Sequence, residues 1–365
     1  MYEGALYALK TVGFHNRWLN SLPDEAFDTR TTLLNNSQYQ RVYKPLEFKN
    51  ITNIETNQCF KYTVQTTCDL IHKVDLYIPK KSYVKLNDFL YSIEVLIGGQ
   101  KVDKICATNN KREQWLVNRT GDIETLINTN AELFGSHRKI TYTNTHIIVP
   151  LHMAPFHDMN LIFPSCKYHD MVIRLEGIFT DIDINTDIQF YADCYYVDEK
   201  QKTQLQSITH NIPTFQNSTY YGESTVLKKG INHFKLNFNH PVHSIYFWGF
   251  DKTKVKRITL TLNDYNSYNE KPQEQPDTIY YDGSIEPLEY YKESRNISAT
   301  PTFIFFSDTK MNEQPKSMIH FSSLDYPILT IETEQEDEPT FYLNGINIQG
   351  YMCIGNEMFG LVYTK

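Results

Sequence analysis

The sequence predicts two all-β domains joined by a polar connection and carrying long loops. Three observations lead there. Period-two alternation of apolar and polar residues recurs from Tyr39 onward, and only residues 1–27 show helical spacing outside a loop. Aromatic residues make up 14% of the chain, with 26 Tyr and 21 Phe, a composition suited to pleated, half-buried surfaces. The 365 residues are 41% hydrophobic and 21% charged, enough for two cores of ordinary size and too apolar for a disordered chain.

Composition also sets limits on function. A net charge of −8 gives no overall attraction to nucleic acid. The basic run Lys252 to Arg257 reads as a solvated strand edge. The six cysteines, Cys59, Cys68, Cys106, Cys166, Cys194 and Cys353, contain no C-x-x-C pair, which argues against a zinc ribbon or a dithiol redox motif. They read as reduced core residues. The apolar stretch Ala5 to Leu9 is too short for a secretory core, and no run approaches the ~20 apolar residues of a membrane span. The sequons at Asn35, Asn50, Asn118, Asn217 and Asn296 then read as by-products of an Asn- and Thr-rich chain, and cytosolic synthesis is expected.

Taken in order, Tyr2, Leu6 and Leu9 follow i, i+4, i+7, with Phe14 and Trp18 beyond them. This segment is either a terminal helix docked on its own domain or an arm for membrane or partner contact. Val42 to Phe48 is a strand candidate, and Phe60, Tyr62 and Val64 alternate in the next. Leu70, His72, Val74, Leu76 and Ile78 are expected on one face of a strand that ends at Pro79. Ile93 to Ile97 runs into Gly98-Gly99, a hairpin signal. It makes a poor phosphate loop, because no Lys-Ser/Thr and no helix start follow. Trp115, Leu116, Ile123, Leu126, Ile127 and Leu133 suggest short helices, and His146 to Pro150 resumes a strand. His152 and His157, beside Asp158, lack a third ligand and read as a packed loop.

The stretch Asn160 to Ile178 organises the first half. Leu161 to Phe163 closes at Pro164 and Ser165. Met171, Ile173 and Leu175 then share one strand face, opposite Val172, Arg174 and Glu176, and Gly177 allows a bulge. Adjacent on a strand, His169 and Asp170 point to opposite faces, so they read as structural and not as a catalytic pair. Asp181 to Asn185 resembles a calcium loop only faintly, since Thr186 and Ala192 stand where Gly and Glu belong. Gln189 to Val197 is a strand, Asp198 to Gln206 a charged turn, and Ile208 to Tyr220 a polar connection between domains.

The second half repeats the alternation. Phe234, Leu236 and Phe238 oppose Ile231, His233 and Lys235, and Asn239-His240-Pro241-Val242 forms a corner. Ile245 to Phe250 is apolar on both faces, hence buried on both or set against another subunit. Ile258, Leu260 and Leu262 give a strand, and Asn263 to Ser298 reads as a long surface excursion. Leu329, Ile331 and Thr333 lead to an acidic tip at Glu334 to Glu338, and Asn344 to Tyr363 closes the chain. No Ser-, Cys- or carboxylate-based constellation and no convergent His/Glu set stands out, so neither catalysis nor a metal or cofactor is expected.

Several of these landmarks resemble, in order, the major capsid proteins of nucleocytoplasmic large DNA viruses of the iridovirus and phycodnavirus type, with their virophage and polinton-like relatives. The matching stretches are Gly98-Gly99-Gln100, Tyr168-His169-Asp170, Leu236 to Val242 with Phe238, Asn239, His240 and Pro241, and Ile319 to Asp325 with Phe321, Ser322 and Asp325. The resemblance implies two tandem eight-stranded jelly rolls with short helices in loops: residues 28–205 and 206–365, after an arm at 1–27. It implies homotrimers forming pseudo-hexagonal capsomers that tile an icosahedral shell in the virion, assembled in the host cytoplasm. It assigns these signature residues structural roles. It places Tyr2, Leu6, Leu9, Phe14 and Trp18 at the inner face, toward minor capsid proteins or an internal membrane, with no direct contact to nucleic acid. The chain is short for the family, which leaves a minor capsid or scaffold protein as an alternative. A glycan-binding jelly roll is the alternative of another class.

Overall fold

The structure is a computed structural model. It describes residues 39–55, 59–65, 67–80, 85–107, 122–157, 163–165, 168–179, 187–200, 202–203, 209–219, 226–262, 278–307, 318–324, 326–354 and 358–361. The arm positions Tyr2 to Trp18, the faint calcium loop and Asp325 lie outside these. The chain forms two compact units. The first holds the chain up to Asn217 and again from Gln349, and the second lies between Ser218 and Ile348.

The first unit contains β1 (Tyr39–Pro45), β2 (Phe48–Glu55), β3 (Cys59–Val64), β4 (Leu70–Pro79), β5 (Leu90–Ile97), β6 (Gln100–Cys106), helix α1 (Ile123–Leu133), β7 (Thr141–Tyr142), β8 (His146–Pro150), β9 (Phe163–Pro164), β10 (Met171–Gly177) and β11 (Gln189–Val197). One sheet runs β1-β11-β4-β8-β7, with β9 also on β4; the other runs β2-β3-β10-β5-β6. Take β1, β3, β4, β5, β6, β8, β10 and β11 as strands one to eight. The sheets then read 1-8-3-6 and 2-7-4-5. That order arises when one long antiparallel ribbon, pairing 1 with 8, 2 with 7, 3 with 6 and 4 with 5, is rolled into a sandwich, which is a jelly roll. Rings join the two sheets in the middle: Phe190 of β11 meets Tyr62 of β3 at 5.0 Å and Phe48 of β2 at 5.5 Å between centroids. Helix α1 starts at Asp122, whose side chain accepts from Thr125 N–H at 2.8 Å, and it buries Ile123, Leu126, Ile127 and Leu133.

The remaining elements are β12 (Thr209–Thr219), β13 (Gly230–Lys235), β14 (Pro241–Trp248), β15 (Val255–Leu262), β16 (Thr278–Gly283), α2 (Glu286–Ser294), β17 (Thr302–Phe305), β18 (Ile319–His320), β19 (Ile328–Thr333), β20 (Tyr342–Ile354) and β21 (Met358–Leu361). The sheets are β12-β20-β14-β17, with β18 on β14 and β21 on β20, and β13-β19-β15-β16. Setting β18 and β21 aside, these again read 1-8-3-6 and 2-7-4-5. One core fills this second roll: Phe234, Ile258, Leu260, Leu329 and Ile331 from one sheet, with Leu236 and Phe238 just beyond β13, meet Val242, Ile245, Phe247, Ile304 and Leu343 from the other. The repeat extends to detail. In each roll a two-residue strand (β9, β18) pairs with the start of the third strand, at Leu70–Ile71 and at Pro241–Val242. In each, the third strand bulges opposite the eighth within its first four residues.

The first of those bulges overturns one expected face. Ala192 pairs with Val74 and Asp193 with His72, leaving Lys73 extra at φ 51°. An extra residue shifts the alternation by one. Ile71, opposite Cys194, therefore joins Val74, Leu76 and Ile78 on the core side, and Leu70 and His72 turn to the other. Three further expectations change. The polar connection at Thr209–Thr219 is a strand, held by its main chain in the sheet and not by apolar alternation. The expected excursion contains strand β16 and helix α2 in its second half. Strand β15 lies between β19 and β16 and is not an edge. Its exposed Lys256 and Arg257 pair with Glu334 and Asp282 at 2.8 and 2.6 Å. Strand β14 is buried at all eight positions, so its apolar faces are covered within the chain and offer nothing to another subunit.

Candidate functional site

The signature residues gather into one corner in each unit. In the first, β5 turns into β6 through Gly98 and Gly99, with φ of 58° and 79°. Two successive positive φ values are what a tight hairpin matching the twist of its strands requires. Gln100 then opens β6 as an exposed residue. The turn is tied to the start of β10: Gly98 N–H donates to the Asp170 carbonyl at 3.0 Å. A Cβ on Gly98 would lie 3.0 Å from the His169 ring, whereas one on Gly99 would meet nothing within 4 Å. His169 in turn accepts the main-chain N–H of Phe359 on its Nδ1 at 2.8 Å, which anchors β21. The Asp170 carboxylate pairs with Lys49 at 2.9 Å, and both are exposed. Tyr168 is 63% exposed.

In the second unit the corner lies between β13 and β14. His240 takes φ 66°, a left-handed conformation uncommon for a side chain with a Cβ. Pro241 then pairs with His320, and Val242 with Ile319. Phe238 meets Phe321 edge-on at 5.8 Å, and both are buried in the core. A Cβ on Gly345 would come within 3.1 Å of the Phe238 ring, so a glycine there seats the ring. Ser322 Oγ lies 2.9 Å from His320 Nδ1, and Ser323 Oγ donates to the His320 carbonyl at 2.7 Å. Asn239 is half-buried. Thus Gly98, His169 and Asp170 meet in one corner, and Phe238, Pro241 and Phe321 in the other. Every contact among them positions main chain or packs rings.

Sequence reasoning missed a third junction. Asp103 on β6 is fully buried, and its carboxylate accepts N–H groups from Lys104, Ala154 and Asn217 at 2.8, 2.8 and 2.9 Å. The Asn217 side-chain amide adds a fourth at 3.2 Å. Beside it, Gln216 Nε2 donates to the Val102 carbonyl, and His157 Nε2 donates to the Phe215 carbonyl at 2.7 Å. Together these clamp β6, the loop at 152–157 and β12. Burial pushes the Asp103 carboxyl up to about 7, against the opposing pull of its N–H donors. The available signal was slight: an acid in a strand between apolar Val102 and Ile105. His152 and His157 do not converge. The first bonds the Arg138 carbonyl at 2.7 Å and the second that of Phe215. Among the described residues no group of three or more His, Cys, Asp or Glu could hold a metal ion. No described helix is long and apolar enough to cross a membrane.

No family model and no curated protein matches the sequence. Solved structures do match. The quasi-atomic model of the PBCV-1 virus capsid aligns with a TM-score of 0.61 at 13% identity, over 90% of this chain and 98% of that one. The major capsid protein P2 of bacteriophage PM2 aligns at 0.50 and 11% identity, over 89% and 99%. The chain has the double jelly-roll capsid fold. PBCV-1 VP54, fitted into a reconstruction of the virophage Sputnik, gives 0.59 at 13% identity over 90% and 98%. Both rolls of the double jelly roll are therefore spanned, and the two signature corners are junctions inside that fold.

Proposed function

We propose that this chain is a structural protein of a viral capsid, and that it forms homotrimers whose six jelly rolls make a pseudo-hexagonal capsomer of an icosahedral shell. The observation that carries the reading is the end-to-end likeness to capsid proteins, over nine-tenths of this chain and nearly all of theirs. Two rolls of identical strand order in one polypeptide support it, since six such rolls in a trimer approximate a hexagon. On this reading the signature corners are scaffolding and the protein has no catalytic role. Mass photometry of the purified chain should show particles of three times 42.9 kDa at nanomolar concentration. Monomers alone at micromolar concentration would end the proposal.

The arm at residues 1–27 is part of the same reading. Its apolar residues Tyr2, Leu6, Leu9, Phe14 and Trp18 would meet minor capsid proteins or an internal virion membrane at the inner face. A single short amphipathic segment binds a membrane weakly, so many copies must act together. Deleting residues 2–20 should leave multimers with an unchanged melting temperature that no longer float with anionic liposomes. A deletion that unfolds the protein would place the segment in the first core instead.

A further inference from the structure

In the first roll, the side of sheet β1-β11-β4-β8 turned away from the core carries a row of rings. Tyr43 stacks on Tyr191 at 5.6 Å between centroids, Tyr191 meets Tyr77 at 4.7 Å, and Tyr77 meets His146 at 6.2 Å. Tyr39 stacks on Tyr195 at 6.1 Å alongside. The charges among these rings are already paired. Arg41 grips Asp193 through Nε and Nη2 at 3.1 and 2.7 Å. Arg138 pairs with Asp75, and the Tyr43 hydroxyl donates to the same carboxylate at 2.8 Å. The face is thus aromatic and internally neutralised, so covering it strands little charge. Yet Tyr39 and Tyr43 are 38% and 46% exposed, on a strand that has no partner on its outer side among the described residues.

The second roll supplies the comparison. There a ring row crosses the same strands, eight, three and six, on the same side. Tyr342 stacks on Trp248 at 5.0 Å, Trp248 on Tyr246 at 5.9 Å, and Tyr246 on Phe303 at 5.4 Å. All four are no more than 7% exposed, and every atom that covers them belongs to this chain. This chain's own surface therefore closes the ring row of the second roll, whereas the row of the first ends in two strand-one tyrosines that are more than a third exposed. Tyr and Arg are also the residues enriched at the energetic centres of protein interfaces. Stacked at 24°, Tyr43 and Tyr191 turn their faces to each other, which leaves edges for side chains more than a platform for a sugar ring.

We infer that the tyrosine face of β1, β11 and β4 is a contact surface for a second copy of this chain. The inference rests on the capsid reading, in which the chain associates with itself. The test compares the full-length protein with Tyr39→Ala/Tyr43→Ala and with Tyr39→Phe/Tyr43→Phe, by mass photometry across a dilution series. The Ala pair should raise the dissociation constant at least ~100-fold, as expected for losing two interface anchors. The Phe pair should assemble like the wild type. Both side chains are more than a third exposed, so melting of the monomer should hold; Tyr39→Ala alone gives the same readout if the pair fails to fold. Amides of β1 should gain exchange protection on assembly. Ala variants that assemble as the wild type does would overturn this surface and leave the capsid reading standing, even if they had lost binding to a glycan array. A wild type that is monomeric throughout would overturn self-association itself.

Discussion

At the scale of single residues, Gly98 and Gly99 look interchangeable in sequence and differ in space. Both need a left-handed backbone, but only Gly98 faces a ring, with His169 3.0 Å from a would-be Cβ. Gly99→Ala should cost roughly 1–2 kcal/mol from backbone conformation alone, and Gly99→Asn less, because Asn tolerates that region. Gly98→Ala should cost more than either in denaturant unfolding, since the His169 ring must also move. Equal losses at the two sites would remove the ring from the argument. Asp103 makes a different prediction. Its carboxyl titrates near 7 in the folded protein against an ordinary 3.8, so the folded state holds the proton more tightly. The stability from this group is full below about 3.8 and is lost as pH rises through about 7, by at most ~4 kcal/mol for a three-unit shift. Asp103→Asn should flatten that slope in melts taken from pH 4 to 8. It should also cost ~1–3 kcal/mol at low pH, because an amide nitrogen would then face the Ala154 N–H. A variant with the wild-type slope would show that another group sets it.

At the scale of elements, legibility followed the source of each element's stability. Strands β3 and β10 alternate because one face of each is core, and the pattern states this directly. The bulge at Lys73 is invisible for the opposite reason. One residue with positive φ inverts every face before it, and no special residue type marks the spot. Strand β12 hides because its residues are polar and its place is fixed by main-chain hydrogen bonds. Helix α2 hides because only Leu288 and Lys292 are buried on it. It is fastened by charge instead: Glu289 takes Lys292 at 2.6 Å, Lys252 at 2.9 Å and the Thr302 hydroxyl at 2.6 Å. Lys292 also donates to the Ala299 carbonyl at 3.0 Å. Removing one partner of a buried pair leaves the other uncompensated. Glu289→Ala should therefore lower stability by ~3 kcal/mol, whereas Lys252→Ala, on a side chain nearly a third exposed, should cost under ~1 kcal/mol. Matching losses in thermal melts of the two variants would mean that α2 is held by packing alone.

At the scale of the whole molecule, the sequence suggested two domains in tandem, and the chain is threaded less simply. It leaves the first unit at Asn217 and returns at Gln349, so the second unit is inserted between two segments of the first. Nothing local announces this. The returning stretch reads as an ordinary pair of closing strands, and its destination depends on long-range contacts: β21 pairs with β20, and the Phe359 N–H reaches His169 across 190 residues of sequence. A fold recognisable at 13% identity is carried by such topology more than by residue identity. The threading has a consequence at the C-terminus. Deleting residues 349–365 removes the end of β20 and all of β21, and with them the partner of His169. Although this is the end of the chain beyond the second roll, the damage should appear in the first. Hydrogen exchange of the truncated protein should show faster exchange around the Gly98 turn and the start of β10, while β13, β15 and β19 keep their protection. Loss of protection confined to β13, β15 and β19 would show that residues 349–365 support the second roll and not the first.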